Sequence, residues 1–227
     1  MTQRNGWLLV GLLLVNTAMG CSQTTTSQPT TSPQNVTTPE PTASPIAGWK
    51  KIAGDGVTLS LPESYEGGNP NQDLDAIAKK LKAISPEYGK RIESLKEQPS
   101  NIALLAFDPQ SANSGFLTNV NITSENLPPG TTVEQTVENI GKQFATSYLV
   151  VDQKIVSLEK YQAGRIVAEA TAAEKPIKQL SYVIQKDNRV WLVTYATSAS
   201  EFEQRLPGFE KSVRTFTLPS LIQSVKN

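Results

Sequence analysis

The fold is decided by residues 180–197, LSYVIQKDNRVWLVTYAT. Two apolar runs, Leu180–Lys186 and Arg189–Thr197, are separated only by Asp187 and Asn188, which is typical of a two-residue β-hairpin turn. The second run is apolar on both of its alternating faces: Trp191, Val193 and Tyr195 on one, and Val190, Leu192 and Ala196 on the other. A strand of that kind is buried on both sides, so we expect layers of structure on both faces of the sheet.

Other strands are predicted on both sides of this hairpin in the chain. Two alternating runs flank Gly54-Asp55-Gly56, which predicts a turn. Further strands are predicted at Ile102–Phe107, Phe116–Ile122, Val150–Leu158 and Arg165–Thr171. Glu169 interrupts the last of these runs, and we expect it on the open face of an edge strand; a buried, functional carboxylate is the alternative.

A two-part helix is predicted over residues 72–97. Its apolar stripe recurs at spacings of three and four and consists of Leu74, Ile77, Leu81 and Ile84. Ser85-Pro86 restarts the helix, because proline suits the first helical position. The stripe is expected to face the core, with a partner-binding face as the alternative.

Two more helices are predicted from capping boxes. One begins at Thr131 and Glu134, and the last begins at Ser200 and Glu203. We expect the last helix to be broken or kinked at Pro207.

These elements predict an α+β domain over residues 48–217, a largely antiparallel β-sheet sandwiched by helices. We expect residues 218–227 to form a C-terminal tail. A domain of about 170 residues buries about 70% of its unfolded surface, so it needs neither a metal nor a disulfide to fold.

Residues 1–20 have the pattern of a secretory signal peptide, with Arg4 before the apolar core Trp7–Val15. That core is too short for a membrane-spanning helix, which takes about 20 residues. The residues before Cys21 end in Ala18-Met19-Gly20 and resemble a bacterial lipobox, although Ala18 stands where an aliphatic residue is usual. The resemblance implies cleavage before Cys21 and attachment of diacylglycerol to its sulfur, hence a membrane anchor outside the cytoplasm.

A tether follows the lipidated cysteine, so that residues 21–47 form one unit. Residues 22–47 contain eight Thr, four Ser and five Pro, with Glu40 as the one charged residue. Such a segment cannot bury enough apolar surface to offset its conformational entropy, so we expect a disordered spacer.

Composition excludes much chemistry. The sequence has no histidine, and Cys21 is its single cysteine. An internal disulfide, the usual zinc, copper, haem or iron–sulfur sites, and Ser-His-Asp or Cys-His catalysis are therefore excluded, and no cofactor is predicted. Basic and acidic residues number 21 each, so no net field would recruit nucleic acid.

Two patterns could still support an enzyme. Ser157 and Lys160 form a Ser-x-x-Lys match, but the companion motifs are absent and Ser157 lies at a strand end. Asp73 and Asp75 are the nearest carboxylate pair, and their place at a helix start, where acids favour the helix dipole, explains them without catalysis. We predict no catalytic residue.

The domain resembles the PsbP-like family, accessory proteins of the photosystem II oxygen-evolving complex and their bacterial relatives. The resemblance is carried by Trp49-Lys50-Lys51, Gly56–Pro62, the hairpin Lys186–Tyr195, and Phe202, Phe209, Ser212 and Phe216. It implies a sheet between helices, no catalytic residues, and docking to or assembly of membrane complexes. The helix predicted at 72–97 looks like an insertion relative to the family. Some relatives have metal sites, and this sequence has no histidine to form one.

The predicted function is therefore a membrane-anchored lipoprotein on the periplasmic or lumenal side of a bacterial membrane. It acts as a non-catalytic binding or assembly module with a protein partner in a membrane complex, which the resemblance extends to photosystems. A carrier of a small apolar ligand or lipid is the alternative, and a carboxylate-based hydrolase is less favoured.

Overall fold

The computed structural model describes residues 46–93, 101–170 and 176–218. The predictions for the signal peptide, Cys21 and the tether up to residue 45 lie outside these residues, as do those for 94–97, Thr171 and most of the tail. Within the described residues, no helix is long and apolar enough to cross a membrane.

Nine strands and four α-helices make up the described part of the chain. The strands are β1 Trp49–Ala53, β2 Thr58–Pro62, β3 Glu66–Gly68, β4 Ile102–Phe107, β5 Asn119–Asn126, β6 Leu149–Leu158, β7 Tyr161–Ala170, β8 Ile177–Lys186 and β9 Arg189–Ser198. The helices are α1 Pro70–Ile84, α2 Pro86–Glu93, α3 Val133–Phe144 and α4 Phe202–Val213, and a 3-10 helix spans Pro109–Ser114.

Seven of these strands form one antiparallel sheet in the order β3-β4-β5-β9-β8-β7-β6, and β1 and β2 form a separate hairpin. The predicted hairpin is confirmed as β8–β9, in which Lys186 lies opposite Arg189 and Asp187 has a φ of 53°. The predicted turn at Gly54-Asp55-Gly56 joins β1 to β2.

One face of the sheet, here called the α4 face, is covered by α4 and the β1–β2 hairpin. Tyr182 and Tyr195 of the sheet share an apolar core with Phe209 of α4 and Leu59 of β2. Burying a large apolar side chain of this kind contributes about 1.5–3 kcal/mol. Thr58 also bonds Thr217 through both backbone amides, at 3.0 and 3.1 Å, so the hairpin is tied to the chain beyond α4.

The opposite face, called the α3 face, carries the other helices. Val137 and Ile140 of α3 pack against Ile166 and Val183 of the sheet. At the other end, Ile77 and Leu81 of α1 and Ile92 of α2 pack on Leu105 and Phe107. The expected α+β class, an antiparallel sheet with helices against both faces, is confirmed, and so is the double burial of β9.

The helix caps differ from the sequence expectation. The capping box of α3 is formed one residue later, by Thr132 and Gln135, whose reciprocal bonds measure 3.2 and 3.0 Å. The predicted box at Ser200 is wrong, because α4 begins after Glu201 without a side-chain cap. The helix α4 also continues through Pro207 rather than breaking there.

Two strand predictions also needed correction. The strand predicted from Phe116 begins at Asn119, because the 3-10 helix and the residues after it delay pairing. Glu169 lies on β7, which is interior, since the edge strands of the sheet are β3 and β6. Glu169 lies directly opposite Lys178 on β8, on the α4 face.

Candidate binding surfaces

Arg205 and Arg165 form ion pairs with most of the partly buried carboxylates among the described residues. Arg205 of α4 donates to Glu201 at 2.7 Å and to Asp108 at 2.9 Å, so it joins the start of α4 to the end of β4. Burial raises the pKa of the neighbouring Tyr65. Partial burial of Glu201 raises the pKa of its carboxyl group. Hydrogen bonds from Arg205 and Ser114 lower the same pKa by more, so that it falls below its usual range.

Arg165 of β7 likewise bridges two carboxylates, at the other end of the sheet. It donates to Asp152 of β6 at 2.6 Å and to Glu210 of α4 at 3.2 Å, and its side chain is largely buried. Lys154 reaches the same Asp152 oxygen at 3.1 Å. This cluster therefore fixes the edge strand and α4 to β7.

The residues weighed as catalytic take structural positions. Asp73 accepts from the backbone N–H of Asn69, at the start of α1, at 3.3 Å. Ser157 lies on β6 and Lys160 in the turn after it, so this Ser-x-x-Lys does not open a helix. Across the described residues, no group of three or more Cys, Asp or Glu is placed to hold a metal ion.

A row of neutral polar side chains crosses the α3 face. Asn121, Thr194 and Ser181 lie opposite one another on β5, β9 and β8. The two hydroxyls are 3.1 Å apart, and all three residues are buried. The Oδ1 atom of Asn121 is buried and accepts no hydrogen bond from any described residue. On this face α1 packs on β3 and β4 and α3 packs on β6 to β8, and the row extends from β5 to β8.

The outer edge of the sheet presents apolar side chains to solvent. Among the described residues, the large hydrophobic side chains that are exposed are Leu149, Val151 and Ile155, at 62, 52 and 37%. All three lie on the ten-residue strand β6, which pairs with β7 on one side and with no other described strand. An exposed, long, apolar edge strand is a template for pairing with another chain.

Sequence reasoning predicted the strand at 150–158 but missed this surface. The run LVVDQKIV reads as an ordinary strand, and nothing in it says whether a strand is interior or at an edge. The same is true of the row around Asn121, because its members come from three separate segments.

Comparison with known proteins shows the fold. No family model matches the chain, and no curated protein matches it. Among solved structures, cyanobacterial PsbP (CyanoP) from Synechocystis sp. PCC 6803 superposes with a TM-score of 0.53 at 10% identity. The match covers 78% of this chain and 96% of that one. The PsbP-like fold expected from the sequence is therefore confirmed.

Two weaker matches concern other bacteria. LpqN, involved in cell envelope biogenesis of Mycobacterium tuberculosis, gives a TM-score of 0.48 at 10% identity and covers 72% of this chain and 83% of its own. A Pseudomonas aeruginosa protein of unknown function, described as a putative regulator, gives 0.41 at 9% identity and covers 46 and 74%.

Proposed function

We propose that this chain is a lipid-anchored, extracytoplasmic, non-catalytic module that docks a protein of a membrane complex along β6. The observation that carries the proposal is the edge strand itself. Its exposed aliphatic side chains are those of Leu149, Val151 and Ile155. Its outer backbone groups meet no described strand, and strand addition to such an edge supplies affinity through main-chain hydrogen bonds.

The anchor would place this edge near membrane partners. Lipidation of Cys21, proposed from its lipobox-like context, would hold the chain at a bilayer, since two or three acyl chains bind persistently. A tether of residues 22–47 would let the domain explore roughly 30 Å as a random coil. The resemblance to PsbP-like domains makes a photosynthetic complex one candidate for the partner.

The absence of catalysis is part of the proposal and rests on how the charged groups are used. Asp152 and Glu210 share Arg165, and Asp108 and Glu201 share Arg205. Each pair of acids is bridged by one guanidinium, and these ion pairs join elements of the fold. A glycosidase-type pair would instead face a cleft with its two carboxyl groups about 5–9.5 Å apart.

Photo-crosslinking in the native membrane tests the docking site. A photoreactive phenylalanine at Leu149 should capture one defined protein, whereas the same group at Lys51, which is exposed on β1, should not. Equal and diffuse labelling from both positions would contradict the proposal. A Cys21→Ser variant should leave the membrane fraction, and membrane retention at unchanged mass would contradict the anchor.

A second candidate function, a carrier of a small ligand, is favoured by the unpartnered oxygen of Asn121. A buried oxygen without a donor costs about 1–3 kcal/mol, which a bound N–H or O–H group would offset. The row around it is polar and uncharged, so it suits a neutral ligand with hydrogen-bond donors better than a hydrocarbon chain.

Asn121→Leu tests this candidate. Removing the oxygen should raise the free energy of unfolding of the ligand-free protein by about 1 kcal/mol, measured by urea denaturation. Native mass spectrometry of protein taken from its membrane should then show a bound small molecule in the wild type and none in the variant. A ligand-free wild type, or a destabilised variant, would contradict the carrier function.

A further inference from the structure

We propose that the strand that adds to β6 is β6 of a second copy of this chain. The two strands would run antiparallel about a two-fold axis at Gln153, joining two seven-stranded sheets into one. This inference rests on the proposed function, because it takes β6 as the docking edge and names its occupant.

The charges along β6 single out this register. With Gln153 opposite itself, Asp152 of each copy lies opposite Lys154 of the other, twice in the interface. Both residues point to the α4 face, as the bond from Arg165 to Asp152 and the contact between Lys154 and Asp152 require. Opposite charges in directly facing positions stabilise a strand pair.

The neighbouring symmetric registers are disfavoured by the same charges. Directly opposed residues must share a face, so the axis can move only in whole residues along the strand. An axis at Asp152 places two aspartates opposite each other, and an axis at Lys154 places two lysines opposite each other. Like charges in these positions destabilise the pair.

The exposed aliphatic residues match in the same register. Val151 lies opposite Ile155 of the other copy, again twice, so two of the three exposed large hydrophobic residues cover each other. The bulge between Val150 and Asp152 leaves Val151 without a partner on β7, which makes it available to a strand on the other side. A two-fold interface of this kind is isologous and closes at two copies.

Gln153 gives a test that only the two-fold axis can satisfy. Facing residues of antiparallel strands have Cα atoms about 4.5–5.5 Å apart, within the range of about 4.4–6.8 Å for a disulfide. A Gln153→Cys variant of the full chain, oxidised in its own membrane, should therefore form a disulfide-linked dimer. Ser157→Cys is the matched control: it is exposed on the same strand but lies four residues from the axis, so its two copies are far apart and it should stay monomeric. The wild type, with Cys21 alone, controls for that sulfur.

A charge variant measures the same contact by sedimentation of the detergent-solubilised full chain. Lys154→Asp replaces each opposite-charge pair by a like-charge pair and should raise the dimer dissociation constant about tenfold or more. Lys51→Asp changes the same charge on β1 and should leave it unchanged. Equal disulfide cross-linking of the Gln153→Cys and Ser157→Cys variants, or an unchanged constant for Lys154→Asp, would overturn the register.

The photo-crosslinking from Leu149 separates the two proposals. Capture of a second copy supports self-pairing and the use of β6 as a docking edge, but it does not support a different protein as the occupant of that edge. Capture of a different protein alone, with no Gln153→Cys dimer, overturns self-pairing and leaves the docking function standing. No specific capture from Leu149 overturns both.

Discussion

The two edge strands of the seven-stranded sheet, β3 and β6, differ in how far they are protected from pairing with another chain. At one end β3 has only three residues, Glu66–Gly68, with α1 packed beside it and Lys80 of that helix 2.9 Å from Glu66. At the other end β6 has ten residues, and aliphatic side chains on it are exposed. In natural sheets, edge strands are short, charged or covered, which prevents pairing with another chain. The strand β3 follows this rule more fully than β6 does.

The difference suggests what each edge is for. The protected end contributes to stability, since α1 and α2 build an apolar core on β4. The exposed end contributes less burial, yet Arg165 anchors it to β7 and α4. A strand that is firmly held and openly presented is suited to docking, and the following variants test that contrast.

The largest expected effect is at the protected edge. Gly67 has a φ of 152°, and a Cβ there would overlap the carbonyl oxygen of Leu105 and lie 2.5 Å from Cα of Ala106. Gly67→Ala should therefore lower the free energy of unfolding by about 3 kcal/mol, measured by urea denaturation. Gly130→Ala is the control: its φ is 80° with no atom near the new Cβ, so about 1 kcal/mol is expected. Equal losses would mean that the close approach of β3 to β4 is unimportant.

The next effect concerns how β6 is held. Arg165→Met leaves Asp152 and Glu210 without their shared cation, and we expect a loss of about 2 kcal/mol in the free energy of unfolding. Arg189→Met removes an exposed arginine at the start of β9 together with its exposed hydrogen bond to Ser124, and it should change the free energy of unfolding by less than about 0.5 kcal/mol. Similar values for the two variants would contradict the role given to Arg165.

A smaller effect is expected in the pH dependence of stability. The pKa of Glu201 is lower in the folded protein than its ordinary value of 4.5, so its contribution is present above that value and is lost as the pH falls through the folded pKa. Between about pH 5 and about pH 3, the wild type should therefore lose more stability than Glu201→Gln. If the free energy of unfolding falls equally with pH in the wild type and in Glu201→Gln, the predicted contribution of Glu201 is contradicted.

The smallest effect on stability should accompany a large effect on docking. Val151 is half-exposed, so Val151→Lys should change the free energy of unfolding by less than about 0.5 kcal/mol. It should nonetheless abolish the specific photo-crosslink from Leu149, because a lysine then occupies the apolar edge. A stable variant that still cross-links would show that β6 is not the contact surface.

Much of the fold could be predicted because its signals are local. Asp187-Asn188 between two apolar runs identified the β8–β9 hairpin, and the double apolar pattern of β9 indicated covered faces. The cap of α3 was placed one residue early because Thr131 and Thr132 are both competent caps. The cap of α4 was wrong because Ser200 lies one residue before the N-cap, Glu201, and its hydroxyl lies 3.3 Å from that of Ser198.

The candidate surfaces could not be predicted in the same way. The exposure of Leu149 depends on which strand ends the sheet, and the unpartnered oxygen of Asn121 depends on which strands lie beside β5. Both are consequences of strand order, which no local pattern encodes. Cys21 is the reverse case, since its predicted chemistry comes from neighbouring residues alone.

Amide hydrogen exchange along β6, compared between protein on its native membrane and dilute purified protein, tests the central claim most directly. Alternate amides of an antiparallel strand point away from β7. If β6 is the docking edge, these outward amides of Leu149–Leu158 should exchange slowly on the membrane and rapidly after dilution. Outward amides that exchange equally fast in both states would contradict the account.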